Sequence, residues 1–123
     1  MKALIIDDDP GIRLIARLSL SRVGSMEVTE AADGGAGVEM ARAEPPDVIL
    51  LDLMMPGMDG RQTLAALRAD PATAAIPVIF LTANAHDLEA LAALDVAGVL
   101  LKPFDPRGLS GEVRRILGRP PEA

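Results

Sequence analysis

Met1-Lys2-Ala3-Leu4-Ile5-Ile6-Asp7-Asp8-Asp9-Pro10 is the stretch on which the fold is decided. A short apolar run, Ala3–Ile6, ends in three carboxylates, and a proline follows at once. Unbroken apolar residues with no alternation suit a strand buried on both faces of a parallel sheet. An Asp followed by Pro supplies an anionic cap and a pre-set first turn, which starts a helix. The ten residues therefore read as strand, acidic loop and helix start.

The same order recurs down the chain. Val48–Leu51, Val78–Leu81 and Val99–Leu101 are apolar throughout, and a fifth run, Met26–Ala31, alternates and is placed at the sheet edge. Helical stretches are predicted at Pro10–Val23, Gly34–Ala43, Asp59–Ala69, Asp87–Leu94 and Pro106–Leu117, with Pro106, like Pro10, following an Asp. Strand and helix in alternation are the mark of a doubly wound α/β sandwich. The length of 123 residues suits one domain, and a chain of this size buries roughly two-thirds of its unfolded surface without a metal or disulfide staple. Residues 1–119 are taken as the domain, and 120–123, Pro-Pro-Glu-Ala, as a tail or the start of a linker.

Composition removes several function classes. There are no cysteines, so disulfides, thiolate metal sites and cysteine nucleophiles are out. Apolar runs this short cannot span a bilayer, and Asp7 arrives too soon for a signal peptide, so a cytoplasmic protein without membrane contact is expected. A net charge of −6 with no Tyr or Trp offers neither basic patch nor stacking platform for nucleic acid.

Each buried run ends at its C-terminal side in a polar residue: Asp7-Asp8-Asp9, Asp52, Thr82 and Lys102. In a parallel sheet those ends share one edge, and ligands bind in the crevice there. Close carboxylates raise one another's pKa unless a cation lies among them. Lys102 supplies one positive charge, and a hard divalent ion such as Mg²⁺ suits the remainder. Asp residues also favour loop starts as turn formers and caps, and that reading is preferred for Asp9. It does not explain Asp52, Thr82 and Lys102 reaching the same edge. Only Lys2 and Lys102 are lysines, beside ten arginines, and a compact ammonium suits a point contact to an anion.

Leu4–Pro10 (LIIDDDP), Leu50–Gly60 (LLDLMMPGMDG), Phe80–Ala83 (FLTA) and Leu100–Phe104 (LLKPF) together resemble the receiver domain of two-component response regulators, chemotaxis receivers included, over essentially the whole chain. The resemblance implies a flavodoxin-like (βα)5 sandwich with a parallel sheet in the order 2-1-3-4-5. It implies a phosphorelay in which Asp52 accepts phosphate from a histidine kinase or a phosphotransfer protein and partner binding then changes. It assigns Mg²⁺ to Asp8, Asp52 and the backbone carbonyl of Met54, with Asp7 acting through a coordinated water. Thr82 would bond a phosphoryl oxygen and Lys102 would pair with the phosphate. The Lys102–Pro103 bond resembles one that is cis in the family. Met54 and Asn84, each two residues after a site residue, would tune hydrolysis of the phosphorylated state. One departure stands out: many receivers carry Tyr or Phe three before the lysine, and Val99 stands there.

On the first helix, about 100° per residue gathers Ile12, Ile15, Ala16, Ser19, Leu20 and Val23 towards the sheet. Leu14 and Leu18 fall off that face beside Arg17 and Ser21 and suit docking on the helical bundle of the kinase or phosphotransfer partner. His86 reads as an exposed loop residue, and Phe104 as core. A haloacid-dehalogenase-like phosphatase would need an acid at position 54, where Met54 stands, and a flavodoxin-like electron carrier would need a Ser/Thr/Gly-rich phosphate loop after the first strand, where Asp7-Asp8-Asp9 would instead repel the cofactor's phosphate. A receiver-like scaffold acting without phosphorylation is the alternative. The absence of an effector region and of the aromatic at Val99 favours a monomer acting on a downstream protein.

Overall fold

The computed structural model describes residues 1–119 of the chain; the tail at 120–123 lies outside them. Five strands, β1 (Lys2–Ile6), β2 (Glu27–Ala31), β3 (Val48–Asp52), β4 (Val78–Thr82) and β5 (Gly98–Leu101), form one parallel sheet in the order β2-β1-β3-β4-β5. The helices are α1 (Pro10–Leu18), α2 (Gly34–Ala43), α3 (Gly60–Ala69), α4 (Leu88–Ala92) and α5 (Leu109–Leu117). The doubly wound reading and the strand order both hold.

Alternate residues of each central strand feed two cores, because side chains along a strand point to opposite faces. Leu4, Ile6, Ile49, Leu51 and Phe80 pack with Val38 and Ala41 of α2, Leu64 and Leu67 of α3 and Leu91 of α4. Ala3, Ile5, Val48, Leu50, Ile79 and Leu81 pack with Ala16 of α1, Leu20 just beyond it, and Leu109 and Val113 of α5. β1, β3 and β4 are accordingly buried almost end to end.

β5 departs from the expectation of burial on both faces: its residues are half-exposed, and Leu101 is 40% exposed. It has β4 alone as a neighbour, and α4, beside it, is only five residues long. α4 is shorter than predicted at both ends: Asp87 belongs to a separate 3₁₀ turn, Ala85–Asp87, capped by the Asn84 side chain accepting from the His86 N–H, and the helix stops at Ala92 rather than Leu94.

Two helix boundaries also move. Pro106 lies in a turn rather than in the first turn of α5: Asp105 accepts from the Arg107 amide, and α5 begins only at Leu109. The first helix runs regularly to Leu18 and then widens into a π-helical turn, Ser19–Val23, which the Gly24 amide closes onto the Ser19 carbonyl. That turn lets the helix end press on α5. The Ser19 hydroxyl donates to the Pro106 carbonyl, Arg114 donates to the Gly24 carbonyl at 2.8 Å, and a Cβ at Gly24 would stand 2.6 Å from that of Ser110.

The buried arc of α1 is narrower than its apolar arc. Ala16, Ser19 and Leu20 are buried and Ile12 half-buried, but Ile15 and Val23 are exposed, against expectation. Arg13 and Arg17, one turn apart, both reach Glu30 on the edge strand, at 3.5 and 2.7 Å. These pairs roll the helix towards β2 and leave Ile15 in solvent beside Leu14, while Leu18 is half-buried.

Candidate functional site

The C-terminal ends of β1, β3, β4 and β5 meet at one edge, as the reading of the polar residues required. Asp7 follows β1 and is fully buried. Its amide donates to the Ala31 carbonyl of β2, its carbonyl accepts from Arg13, and its Oδ1 accepts from the Asp9 amide at 2.9 Å. Its position is therefore fixed from three sides. Asp9 caps α1, its side chain accepting from the amides of Gly11 and Ile12, so the structural reading of this residue is the observed one. Asp8 between them is exposed.

Asp52 closes β3 and is 5% exposed. Its Oδ1 accepts from the Met54 amide at 3.3 Å. The next turn is held rigidly. Gly57 adopts φ +74°, Asp59 and Gln62 form a reciprocal capping box, and the Gly60 amide donates to the Leu53 carbonyl. A Cβ on Gly60 would lie 2.6 Å from the Asp52 carbonyl oxygen, so only glycine lets α3 start this close to the acid.

Lys102 follows β5, its amide paired with the Thr82 carbonyl, and the Lys102–Pro103 bond is cis, as the resemblance implied. Its Nζ donates to Asp7 Oδ2 at 2.7 Å and lies 3.1 Å from Asp52 Oδ1. Burial opposes the ammonium, but Asp7 and then Asp52 outweigh it and hold the lysine above its ordinary pKa. Asp52 moves the other way: burial first, and the nearby Asp7 second, push it up from 3.8 to about 6 despite Lys102. One ammonium among three acids does not neutralise the pocket.

The donor set fits a hard cation. One carboxylate oxygen each from Asp7, Asp8 and Asp52 lie within 4.8 Å of one another, and all are oxygens, the ligands that Mg²⁺ prefers.

Thr82, at the end of β4 and 2% exposed, stands at the same edge, but its hydroxyl is engaged elsewhere. It donates to Asp87 Oδ2 at 3.3 Å and accepts from the Asn84 amide at 3.1 Å. Asp87, Gly60 and Arg13 are contributors that the sequence reading did not single out. For Gly60 the Asp-Gly pair after Met58 was a usable signal of a helix start; for Asp87 and Arg13 side-chain direction decides, and no spacing announces it. His86 is exposed as expected, and Phe104 is half-buried against the α1–α5 core. Met54, 76% exposed, touches the site through its backbone.

A parallel α/β domain of flavodoxin-like topology, with buried acids and a lysine at the strand ends, defines the class of protein. Comparison with known proteins gives the family. Residues 3–114 match the response regulator receiver domain. The chain is 39% identical over 120 residues to the DNA-binding dual master transcriptional regulator RpaA of Synechocystis sp., covering 96% of this chain and 49% of RpaA. It is 39% identical over 117 residues to the nitrate/nitrite response regulator protein NarP of Escherichia coli, covering 92% of this chain and 53% of NarP. The chain thus spans about half the length of these relatives. Among solved structures, the Vibrio cholerae chemotaxis protein CheY4 superposes with a TM-score of 0.84 at 32% identity, covering 94% of this chain and 97% of that one. A putative response regulator from Chloroflexus aurantiacus gives 0.85 at 31%, covering 96% and 98%. The chain belongs to the response regulator receiver domain family of two-component systems. No helix among the described residues is long and apolar enough to cross a membrane.

Proposed function

We propose that the chain is a phosphorylation-controlled switch in which Asp52 takes a phosphoryl group from a phosphohistidine on a kinase or phosphotransfer partner. The observation that carries this is the placement of the Asp52 carboxylate, 3.1 Å from the Lys102 ammonium and within ligand reach of Asp7 and Asp8. Asp7, Asp8, Asp52 and the Met54 carbonyl would hold Mg²⁺. When bound, that ion supplies neutralisation of the charge spread over the phosphoryl oxygens. An Asp52 oxygen attacks phosphorus and the histidine nitrogen leaves with the bonding pair, so positioning and charge neutralisation do most of the work. Lys102 then exchanges part of its contact with Asp52 for a phosphoryl oxygen while keeping Asp7. The Thr82 hydroxyl donates a hydrogen bond to another phosphoryl oxygen. The chain catalyses only its own phosphorylation and dephosphorylation.

The partner docks on the exposed side of α1, around Leu14 and Ile15, with half-buried Leu18 at its margin. The output is a changed affinity for a downstream protein. In this reading the domain works in the cytoplasm and does not itself touch nucleic acid, given its charge of −6.

Intact mass after incubation with acetyl phosphate, with and without Mg²⁺, tests the reading on wild type and Asp52→Asn. One added phosphoryl group that needs both Mg²⁺ and Asp52 is expected. If none accumulates, beryllofluoride, a stable phosphoryl mimic, separates rapid hydrolysis from incapacity. Failure of that mimic to bind would leave a scaffold that is never phosphorylated.

A further inference from the structure

The three acids of the pocket are not held alike. Asp7 is fixed by the Lys102 ammonium and the Asp9 amide, and Asp52 by the same ammonium and the Met54 amide. Asp8 is exposed, and no described residue holds its carboxylate. Its aim is therefore set by the backbone on either side of it. On one side the Asp9 amide donates to Asp7 Oδ1 at 2.9 Å. On the other, the carbonyl of the Asp7–Asp8 peptide accepts from a guanidinium nitrogen of Arg13 at 2.7 Å. Side chains on a helix lean towards its N-terminus, which lets Arg13, near the start of α1, reach back to that carbonyl. The Arg13 side chain is largely buried, and its Nε lies 3.5 Å from Glu30 Oε1. Glu30 precedes Ala31, whose carbonyl accepts from the Asp7 amide. The end of β2 thus grips the acidic loop twice, once by its backbone and once through Arg13.

We propose that Arg13 is a positioning residue for Mg²⁺ binding: by holding the Asp7 carbonyl it fixes the Asp7–Asp8 peptide plane, and so aims the Asp8 carboxylate into the pocket with those of Asp7 and Asp52. The inference rests on the reading of these three acids as Mg²⁺ ligands. An Asp8 free to turn must be ordered when the ion binds, and that ordering weakens affinity. Residues that orient a metal's ligands without touching the metal act in this way, and losing one typically lowers affinity about ten- to a hundredfold. The sign of the effect separates positioning from charge. Arg13 is a cation beside a site for a cation, so by charge alone its removal strengthens Mg²⁺ binding. By positioning, its removal weakens it. Arg17 supplies the comparison, because it pairs with the same Glu30 at 2.7 Å but, among the described residues, gives nothing to the acidic loop.

Calorimetric titration with Mg²⁺ alone tests it on wild type, Arg13→Met, Arg13→Lys and Arg17→Met, with urea unfolding to confirm that each is folded. Arg13→Met keeps the apolar stem and should bind Mg²⁺ roughly tenfold more weakly. Arg13→Lys keeps the charge and a donor for the carbonyl, and should recover most of that loss. Arg17→Met should stay within about twofold of wild type, since its charge is solvated and screened. Labelling of Arg13→Met by acetyl phosphate should need more Mg²⁺ to reach half its maximal rate, yet approach the wild-type rate once Mg²⁺ saturates. General destabilisation does not produce that split. Exchange of the Asp9 amide, followed without metal, should quicken several-fold in Arg13→Met and not in Arg17→Met. Mg²⁺ binding in Arg13→Met as tight as in wild type or tighter, or an equal weakening in Arg17→Met, would overturn the proposal, as would unchanged Asp9 exchange. Failure of wild type to bind Mg²⁺ would count against the metal reading alone, because the Asp9 measurement needs no ion.

Discussion

At the site, two side chains carry opposite electrostatic burdens. Asp52 is an acid whose pKa in the folded protein, about 6, lies above its ordinary 3.8, so the folded state keeps a proton that the unfolded chain gives up. The contribution of Asp52 to stability therefore falls as pH rises from about 4 to 6, by about 1–3 kcal/mol, and stays reduced above that range. Asp52→Asn removes the burden. In metal-free buffer it should gain that amount at pH 7.5 and little at pH 4, as urea unfolding at the two values would show. An equal gain at both would refute the electrostatic cause. Lys102 is the counterweight: its removal leaves Asp7, fully buried, without its cation. Lys102→Ala should lose about 3 kcal/mol or more without Mg²⁺. Mg²⁺ should restore much of it, so the melting shift on adding Mg²⁺ should exceed that of wild type. No larger shift would mean that metal and lysine do not share the same charges. That acids, hydroxyl and lysine would meet was legible, because strand ends in a parallel sheet coincide. Where the Thr82 hydroxyl points was not, since a rotamer leaves no trace in spacing.

Among the elements, those with two-sided burial were the easiest to read and those at the margins the hardest. β1, β3 and β4 are apolar apart from one end residue each, Lys2, Asp52 and Thr82, because helices cover both faces, and their bounds differ from the reading by a residue at most. β5 has the same composition but sits at the edge, and composition alone cannot tell an edge strand whose cover is short from a central one. The widened turn after Leu18 was likewise hidden, because its cause is tertiary: Arg114, Ser110 and Pro106 from the other end of the chain shape it. The β3–α3 connection, by contrast, writes its reasons in local residues. Asp59 caps α3 in a reciprocal box with Gln62, and Asp59→Ala should cost about 0.5–2 kcal/mol in denaturant unfolding. Gly60→Ala is the sharper change. Its Cβ would press on the Asp52 carbonyl and Leu53 Cα, both backbone, so strand end or helix start must move. It should cost about 1–3 kcal/mol and slow labelling by acetyl phosphate, because the Asp52 carboxylate shifts with its carbonyl. Full-rate labelling in a destabilised Gly60→Ala protein would show that α3 can yield without disturbing Asp52.

For the whole molecule, the sheet divides labour between its edges and faces. The strand ends gather the chemistry, the two cores hold it in place, and the outer surface of α1 remains free for a partner. The reading of α1 by helical angle found Leu14 there, and it missed Ile15, which stays exposed on a helix whose Arg13 and Arg17 are both paired with Glu30 of β2. Angle fixes which residues share a face; it does not fix which way the face turns, because charges on a neighbouring strand decide that. Leu14 and Ile15 are 46% and 42% exposed, so neither contributes much to the core. Substituting both by serine should change stability by no more than about 1 kcal/mol. Labelling by acetyl phosphate, which needs no docking surface, should be unaffected. Transfer from a histidine kinase or phosphotransfer domain that phosphorylates wild type should fall about tenfold or more, since exposed apolar side chains centred in an interface dominate its energy. Equal losses from both donors would place the defect in the acidic pocket, and equal retention from both would move the partner to another face of the sheet.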